Sequence, residues 1–354
     1  MKKALVAMSG GVDSSVTAYI LKQQGYDCIG ITFTMFDKRD PLFGFDPSVV
    51  DNDINDAKAV CDKVGIPFIA ADASNEFRKY VISDFIRTYE HGGTPNPCIQ
   101  CNRHVKFKLL YDYAEELGCD IIATGHYAKT GFNKETGRYY IEKADDLKKD
   151  QSYMLYSLTQ EQISRTVFPL SDITKEEARK IAEENNFVTA RKNDSQDICF
   201  IPDGDYASFI LKSTQKRYPF GKFVDTENNV LGKHKGIINY TIGQRRGLDI
   251  ALGQRMYVKS KNHVNNTVVL STNEQLFEKK VVLEDFNFVA AADFSEPVRC
   301  TAKIRYSHID NPATVYQDGD KVIIDFDEPQ RAPTKGQAAV IYSNGIVLGG
   351  GKII

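Results

Sequence analysis

No apolar run in the chain approaches the roughly 18 residues that a membrane-crossing helix needs, so membrane-embedded functions are the first to fall away. Charge of one sign is also lacking. The 45 Lys and Arg face 47 Asp and Glu, and a net charge of −2 leaves no global basic field. A polyanionic partner would have to be met by local patches. Cysteine is present but odd in number, seven in a long chain, which argues against a structural disulfide framework. There is no internal repeat and no low-complexity linker. The start "MKKALVAMSGG" has the lysines of a signal peptide, yet its short apolar part runs into a glycine turn. A buried first strand is the better reading, in a cytoplasmic protein.

What is there suits two or three domains with real cores: 354 residues, 42% hydrophobic and 26% charged. The first 200 or so alternate between strand and helix patterns. "KALVAM", "CIGITFTMF", "PFIAA" and "DIIATGH" read as buried strands, and "SSVTAYILKQQG", 49–64, "NEFRKYVISDFIRTYEHG" and "HVKFKLLYDYAEELG" as helices. Such alternation implies an α/β domain with a parallel sheet covered by helices. After residue 205 short alternating segments take over, separated by turn signals such as "NN", "DGD" and "SNG". The expected division is 1–205 α/β, 206–282 a small β-rich central domain, and 283–354 a C-terminal β-barrel. The polar, acidic stretch 37–56 is expected to be a mobile loop. Cys28, Cys61, Cys119 and Cys300 sit in or beside apolar segments and read as small buried hydrophobes.

"SGGVDSS", Ser9 to Ser15, follows the first strand and opens the first helix. Glycines let the backbone approach a ligand closely, and N–H groups at a helix N-terminus form an anion site. The position, at the carboxyl end of a parallel strand, is where open α/β sheets bind ligands. The Gly-Lys-Ser/Thr of a Walker A loop and the pattern Gly-x-Gly-x-x-Gly are both absent. The stretch resembles the pyrophosphate-binding loop (PP-loop) of the ATP pyrophosphatase superfamily. That resemblance implies cleavage of ATP to AMP and pyrophosphate with Mg²⁺, adenylation of a substrate oxygen, and its displacement by a nucleophile. Asp13 would be the Mg²⁺ or phosphate partner.

Five further stretches narrow the resemblance: "TPNPCIQCNRHVKF", "ATGHYA", "KKDQSYMLYSL", "DSQDICFIPDGDYASFI" and "GQRRGL". With the β-rich tail they resemble, in order and approximate spacing, the tRNA 2-thiouridylases of the MnmA family, across nearly the whole chain. The family replaces the 2-oxygen of the wobble uridine in certain tRNAs with sulfur. The resemblance implies an adenine nucleotide alpha hydrolase-like PP-loop domain and assigns residues one by one. Ala7, Met8, Ser9, Gly10, Gly11, Val12, Asp13 and Ser14 match the ATP loop, with Phe33 and Gly125 as further ATP contacts. Asn96, Pro97 and Cys98 match the segment that meets the target base. Cys101 matches the nucleophile and Cys199 the persulfide carrier. Lys149, Asp150 and Gln151, and Arg305 and Tyr306, match tRNA contacts. The implied partners are a tRNA with an unmodified wobble uridine and a persulfide sulfur-donor protein fed by a cysteine desulfurase, with no membrane.

The residue types suit that chemistry. A uridine carbonyl oxygen is a poor leaving group until it is adenylated, and sulfur must then attack as an anion. The helix opened by "CNRHVKFK", with Arg103, Lys106 and Lys108, is expected to favour thiolate at Cys98 or Cys101. One departure stands out, since the family commonly has aspartate where this chain has Cys98. Three cysteines, Cys98, Cys101 and Cys199, then converge on one site if the fold holds. Such a set matches the ligands of a [4Fe–4S] cluster with one open iron, an alternative to a persulfide relay. His104 completes a Cys-x-x-Cys-x-x-His pattern with no second metal-like pair nearby, and His126 is balanced between a structural and an ATP-site role. Arg245 and Arg246 read as phosphate contacts. The competing classes are a PP-loop carbon–nitrogen ligase, for which no glutaminase-like module is evident, and a degenerate RNA-binding protein, against which the intact glycine loop argues.

Overall fold

The computed structural model of the chain describes residues 1–46, 52–192 and 198–354. Its N-terminal part is built on strands β1 (Lys3–Ala7), β2 (Asp27–Thr34), β3 (Phe68–Asp72), β4 (Ile121–Ala123) and β7 (Thr166–Val167), in the parallel order β3-β2-β1-β4-β7. The continuous apolar run of β1 follows from burial on both faces. Leu5 joins a core with Phe107 and Leu110, while Ala4 and Val6 join another with Val16 and Val60. Helices α1 (Val12–Gln23) and α2 (Asp53–Val64) lie on the second side, and residues 49–51 of the expected helix fall outside the described ones, as does part of the 37–56 loop.

Two longer helical runs follow. Run α3 covers 74–90 and α4 covers 97–116, and each contains a wide π turn, Phe77–Ile82 and Asn102–Lys106. Helix α4 begins at Pro97, earlier than "HVKFK" suggested, because Pro97 is preset for the first helical position and Asn96 Oδ1 accepts from Ile99 N at 3.4 Å. Cys98 and Cys101 therefore lie inside a helix, not on a loop before it. The sheet order places a switch point between β1 and β4, where the chain returns past its starting strand.

A hairpin, β5 (Ala128–Asn133) and β6 (Arg138–Lys143), was not expected within the α/β part, although its alternation about "NKETG" is a hairpin signal. It leaves the parallel sheet and pairs with the C-terminal barrel. Helix α5 (Lys175–Glu184) closes the α/β part behind a Thr174–Glu177 capping box. The region expected to be all-β after residue 205 opens instead with helix α6 (Tyr206–Thr214), capped by Asp205 accepting from Ser208 N at 3.0 Å.

The central sheet has the order β10-β11-β8-β9, from β8 (Gly221–Val224), β9 (Val230–His234), β10 (Tyr257–Asn262) and β11 (Thr267–Ser271). Six strands follow: β12 (Phe277–Phe288), β13 (Val298–Lys303), β14 (Asn311–Asp318), β15 (Lys321–Arg331), β16 (Ala338–Ser343) and β17 (Ile346–Ile353). Pairing of β12 with both β15 and β17 closes them into a barrel. The expected border at 282 falls inside β12. Among the described residues no helix is long and apolar enough to cross a membrane.

The central domain docks on the α/β domain through Lys261, whose Nζ donates to Gly93 O at 3.1 Å and Tyr240 O at 2.6 Å and lies over the Tyr89 ring. Desolvation pushes this amine down to about 7, and a neutral amine still has donors for both carbonyls. Its value in the unfolded chain is about 10.4, so between these limits the unfolded state binds more protons and stability rises with pH. The urea midpoint of the wild type is expected to gain more between pH 7 and 9 than that of Lys261→Met. Equal gains would show that Lys261 is not the titrating group.

Candidate functional site

The glycine loop lies at the switch point. Gly11 caps α1 without using a side chain, which leaves the first N–H groups of that helix without a side-chain cap. Gly10 is left-handed (φ 71°), and a Cβ there would meet Asp53 O at 2.4 Å, so only glycine fits. Ser14 Oγ donates to Gly11 O at 3.1 Å and accepts from Ser9 N at 3.1 Å, which fixes the curve of the loop. Ser15 Oγ donates to Gly11 O at 2.8 Å. Lys192 Nζ donates to Gly10 O at 3.0 Å. Gly125, after β4, packs so closely that a Cβ would lie 2.8 Å from Asp13 C and 2.9 Å from Ser14 N. Phe33 ends β2 at the same edge, half-buried against Tyr113.

Both oxygens of Asp13 accept from Lys175 Nζ at 2.7 Å, and Oδ1 accepts from Tyr127 Oη at 2.9 Å. The carboxylate is paired with a buried ammonium, which ties α1 to α5.

Next to the cradle lies the sulfur site. Cys98 and Cys199 keep solvent-exposed surface yet stand deep enough among neighbouring atoms to be desolvated, and Cys101 is buried; all three are free thiols. Cys199 is held by its neighbour Phe200, fully buried among Phe77, Phe85 and Phe209 with ring centroids 5.2–5.5 Å away. The wide turn of α4 places Lys106 against all three sulfurs. Burial opposes the Lys106 charge, while Cys101, Cys98 and Cys199, once ionised, raise its pKa. Of the expected cations only Lys106 serves them, for Arg103 pairs with Asp285 (Nη2 to Oδ1 3.1 Å) and Lys108 with Asp112 at 2.6 Å.

The expected net preference for thiolate is not what this environment gives. Burial pushes Cys101 up to about 11 and Cys199 up to about 12, and raises Cys98, with Lys106 lowering each. The N-terminus of α4 and one ammonium do not offset that desolvation. His126 completes the link to the nucleotide edge. Desolvation and then Lys106 push it down to about 3, so it is neutral, with Nδ1 2.7 Å from Thr124 Oγ1.

The barrel reaches this site. Gln337 Nε2 donates to Thr94 O at 3.1 Å and Pro95 O at 2.8 Å, bracing the loop before α4. Tyr306 is 39% exposed and lies near enough to Cys98, Asp150 and Lys149 to feel their charge. Lys303 Nζ sits 5.4 Å from the Tyr306 ring centre. Arg305 Nη2 donates to Ala332 O at 2.8 Å and Thr334 Oγ1 at 2.7 Å, in the field of Arg331.

Residues 2–203, 207–272 and 278–353 match, in turn, families described as tRNA methyl transferase HUP domain, tRNA methyl transferase PRC-barrel domain, and Aminomethyltransferase beta-barrel domain. The chain is 49% identical over 353 residues to the tRNA-specific 2-thiouridylase MnmA of Clostridioides difficile, covering 99% of this chain and 98% of that one. It is 44% identical to that of Clostridium acetobutylicum, covering 99% of each. The chain belongs to the MnmA family. A 4-thiouridine synthetase–RNA complex with bound ATP is a weaker likeness, with TM-score 0.39 and 18% identity over 60% of this chain and 50% of that one, and carries no argument.

For this MnmA-family chain the structure sorts the expected residues. The loop 7–14, Phe33 and Gly125 share one edge, with Met8, Val12 and Ser14 buried. Pro97 is buried and braces α4, which leaves Asn96 and Cys98 to face outward. Asp150 is also buried: its oxygens accept from Ala144 N, Ser152 N and Ser152 Oγ at 2.9–3.2 Å, which shapes the turn. Gln151 Oε1 accepts from Tyr127 N at 3.1 Å, again as bracing. His104 stacks on Tyr80 at 5.0 Å. Among the described residues no three His, Cys, Asp or Glu are arranged to hold a metal ion. Sequence reasoning missed Lys175, Tyr127, Lys192, Phe200 and Gln337. Only Phe200 carried a signal, an apolar residue in a polar motif. Peptide-resolved alkylation of Cys101 and Cys199 by iodoacetamide is expected to rise about tenfold per pH unit from 7 to 10 and to slow in Lys106→Met but not Lys106→Arg. A plateau near pH 8, or no change in Lys106→Met, would contradict the assigned environment.

Proposed function

We propose that the chain is an ATP-dependent tRNA 2-thiouridylase acting on the wobble uridine through a persulfide on Cys199. The observation that carries this reading is the placement of one ammonium, Lys106, against three thiols at the edge of an ATP-type glycine loop, with barrel residue Tyr306 beside Cys98. Backbone N–H groups of residues 9–14 and the N-terminus of α1 would hold the nucleotide phosphates, and Phe33 the adenine side. A Mg²⁺ ion would compete with Lys175 for Asp13, the carboxylate of the glycine loop. The [4Fe–4S] alternative finds no metal-holding group of three among the described residues.

The uridine 2-oxygen bonds to the α-phosphorus of ATP and pyrophosphate leaves. The terminal sulfur of the Cys199 persulfide then attacks the ring carbon, and AMP leaves with the oxygen. The Cys101 thiolate attacks Cys199 Sγ, breaking the sulfur–sulfur bond. The product departs with sulfur, a Cys101–Cys199 disulfide remains, and an external thiol reduces it for the next cycle. Each stage needs one sulfur anion, and one ammonium suits one anion at a time. Cys98, where relatives commonly carry aspartate, lines the base pocket with Asn96. Residues 1–205 thus carry the chemistry, while 206–282 and 283–354 present RNA-binding surface that includes Lys149, Arg305 and Tyr306. A flipped uridine would reach the Asn96–Cys98 pocket. The sulfur comes from a persulfide donor protein fed by a cysteine desulfurase.

Cys199→Ser is expected to abolish 2-thiouridine while changing tRNA affinity less than about twofold, since an exposed thiol gives little binding energy. In the wild type, pyrophosphate release is expected only with unmodified tRNA. Normal thiolation by the serine variant would sink the sulfur mechanism. Pyrophosphate release driven by ammonia without tRNA would favour a carbon–nitrogen ligase.

A further inference from the structure

The outer face of the central sheet carries an arrangement that the chemistry above does not use. Strands β8 and β9 pair with Gly221 opposite His234 and Lys222 opposite Lys233. Strand alternation puts Phe223 in the core and Lys222 and Lys233 outside, both exposed. One step beyond the pairing, Phe220 and Lys235 share that outer face. Phe220 is 73% exposed, a large apolar ring left in water. It lines an open pocket of about 410 Å³ together with Lys233, Lys235, Tyr240, Leu248 and Asp249.

Two features are costly for folding alone. Like charges directly opposite on a strand pair repel, and among the described residues neither Lys222 nor Lys233 has an ion-pair partner, whereas Lys235 pairs with Asp249 at 2.6 Å. One chain segment also runs from the pocket wall to basic residues of the barrel. A Cβ on Gly243 would lie 3.6 Å from Arg331 Nη1 and 3.7 Å from Arg305 Nη2. From there the turn 243–248 passes the exposed Arg245 and Arg246 and ends at Leu248, in the pocket wall.

We propose that this face is a second RNA-contact site, in which Phe220 stacks an unpaired base of the bound RNA and Lys222 and Lys233 take the flanking phosphates. The site rests on the tRNA reading and extends the RNA path from Arg305 through Arg245 and Arg246 to Phe220. An exposed aromatic framed by unpaired ammonium groups is the arrangement that holds single-stranded nucleic acid, and phosphates remove the Lys222–Lys233 repulsion.

The test measures binding of unmodified tRNA by the full chain across a salt series, with thermal melting of each variant. Phe220→Ala is expected to weaken binding about tenfold and Phe220→Trp to retain it. Lys222→Gln with Lys233→Gln is expected to lower the salt slope by about two, with a melting midpoint unchanged or raised. Wild-type binding with unchanged affinity and slope in these variants overturns the site and leaves the thiolation reading standing. Full RNA affinity with lost thiolation from a persulfide donor protein would assign the face to that protein and overturn the proposal. Failure of the wild type to bind tRNA overturns the thiolation reading and the site with it.

Discussion

Burial that keeps Cys98, Cys101 and Cys199 protonated is opposed here by the single ammonium of Lys106, and the surrounding structure serves to hold that opposition in place. Lys106 keeps solvent-exposed surface, so salt screens part of its field. It stands on the wide turn of α4, with the three sulfurs and the neutral His126 within reach of its charge. Wide turns of this kind are frequent at functional sites because they re-aim a side chain without ending the helix. The resting state is thus a set of protonated thiols beside a charge that favours the first sulfur to lose its proton.

Three modules meet to fix α4. Gln337 from the barrel holds the carbonyls of Thr94 and Pro95, Lys261 from the central sheet holds Gly93, and Arg103 on α4 pairs with Asp285 on β12. The same contacts place Tyr306 beside Cys98. In the proposed reading, RNA lying across the barrel and central sheet would be linked to the sulfur site through these hydrogen bonds. On the other side of α4, Phe200 locks the segment bearing Cys199 into an aromatic cluster that also receives α3.

Much of this was legible from local pattern. The buried run of β1, the glycines at 10 and 11 and the β-rich tail follow from periodicity and turn chemistry, and the cysteines from motif spacing. The rest depends on contacts distant in sequence. Nothing beside Asp13 announces Lys175, 162 positions later, as its partner, so a carboxylate in a phosphate loop read as a metal ligand. The resemblance assigned Asp150 to a tRNA-contacting triplet, and nothing local announced that the turn 144–152 folds over it and uses both its oxygens. The thiolate expectation counted cations along the helix and left out desolvation, which only the packed structure supplies. Helix α6 was lost to the surrounding strand pattern, although Asp205 and Ser208 form a capping signal.

The central claim is that sulfur leaves Cys199 as Cys101 attacks it. Its most direct measurement is intact-protein and peptide mass spectrometry after a single turnover, with the persulfide-loaded chain, ATP and unmodified tRNA, quenched by alkylation without reductant. One Cys101–Cys199 disulfide is expected for each 2-thiouridine formed, with Cys98 alkylated. Formation of 2-thiouridine with Cys101 and Cys199 both recovered as alkylated thiols would contradict it.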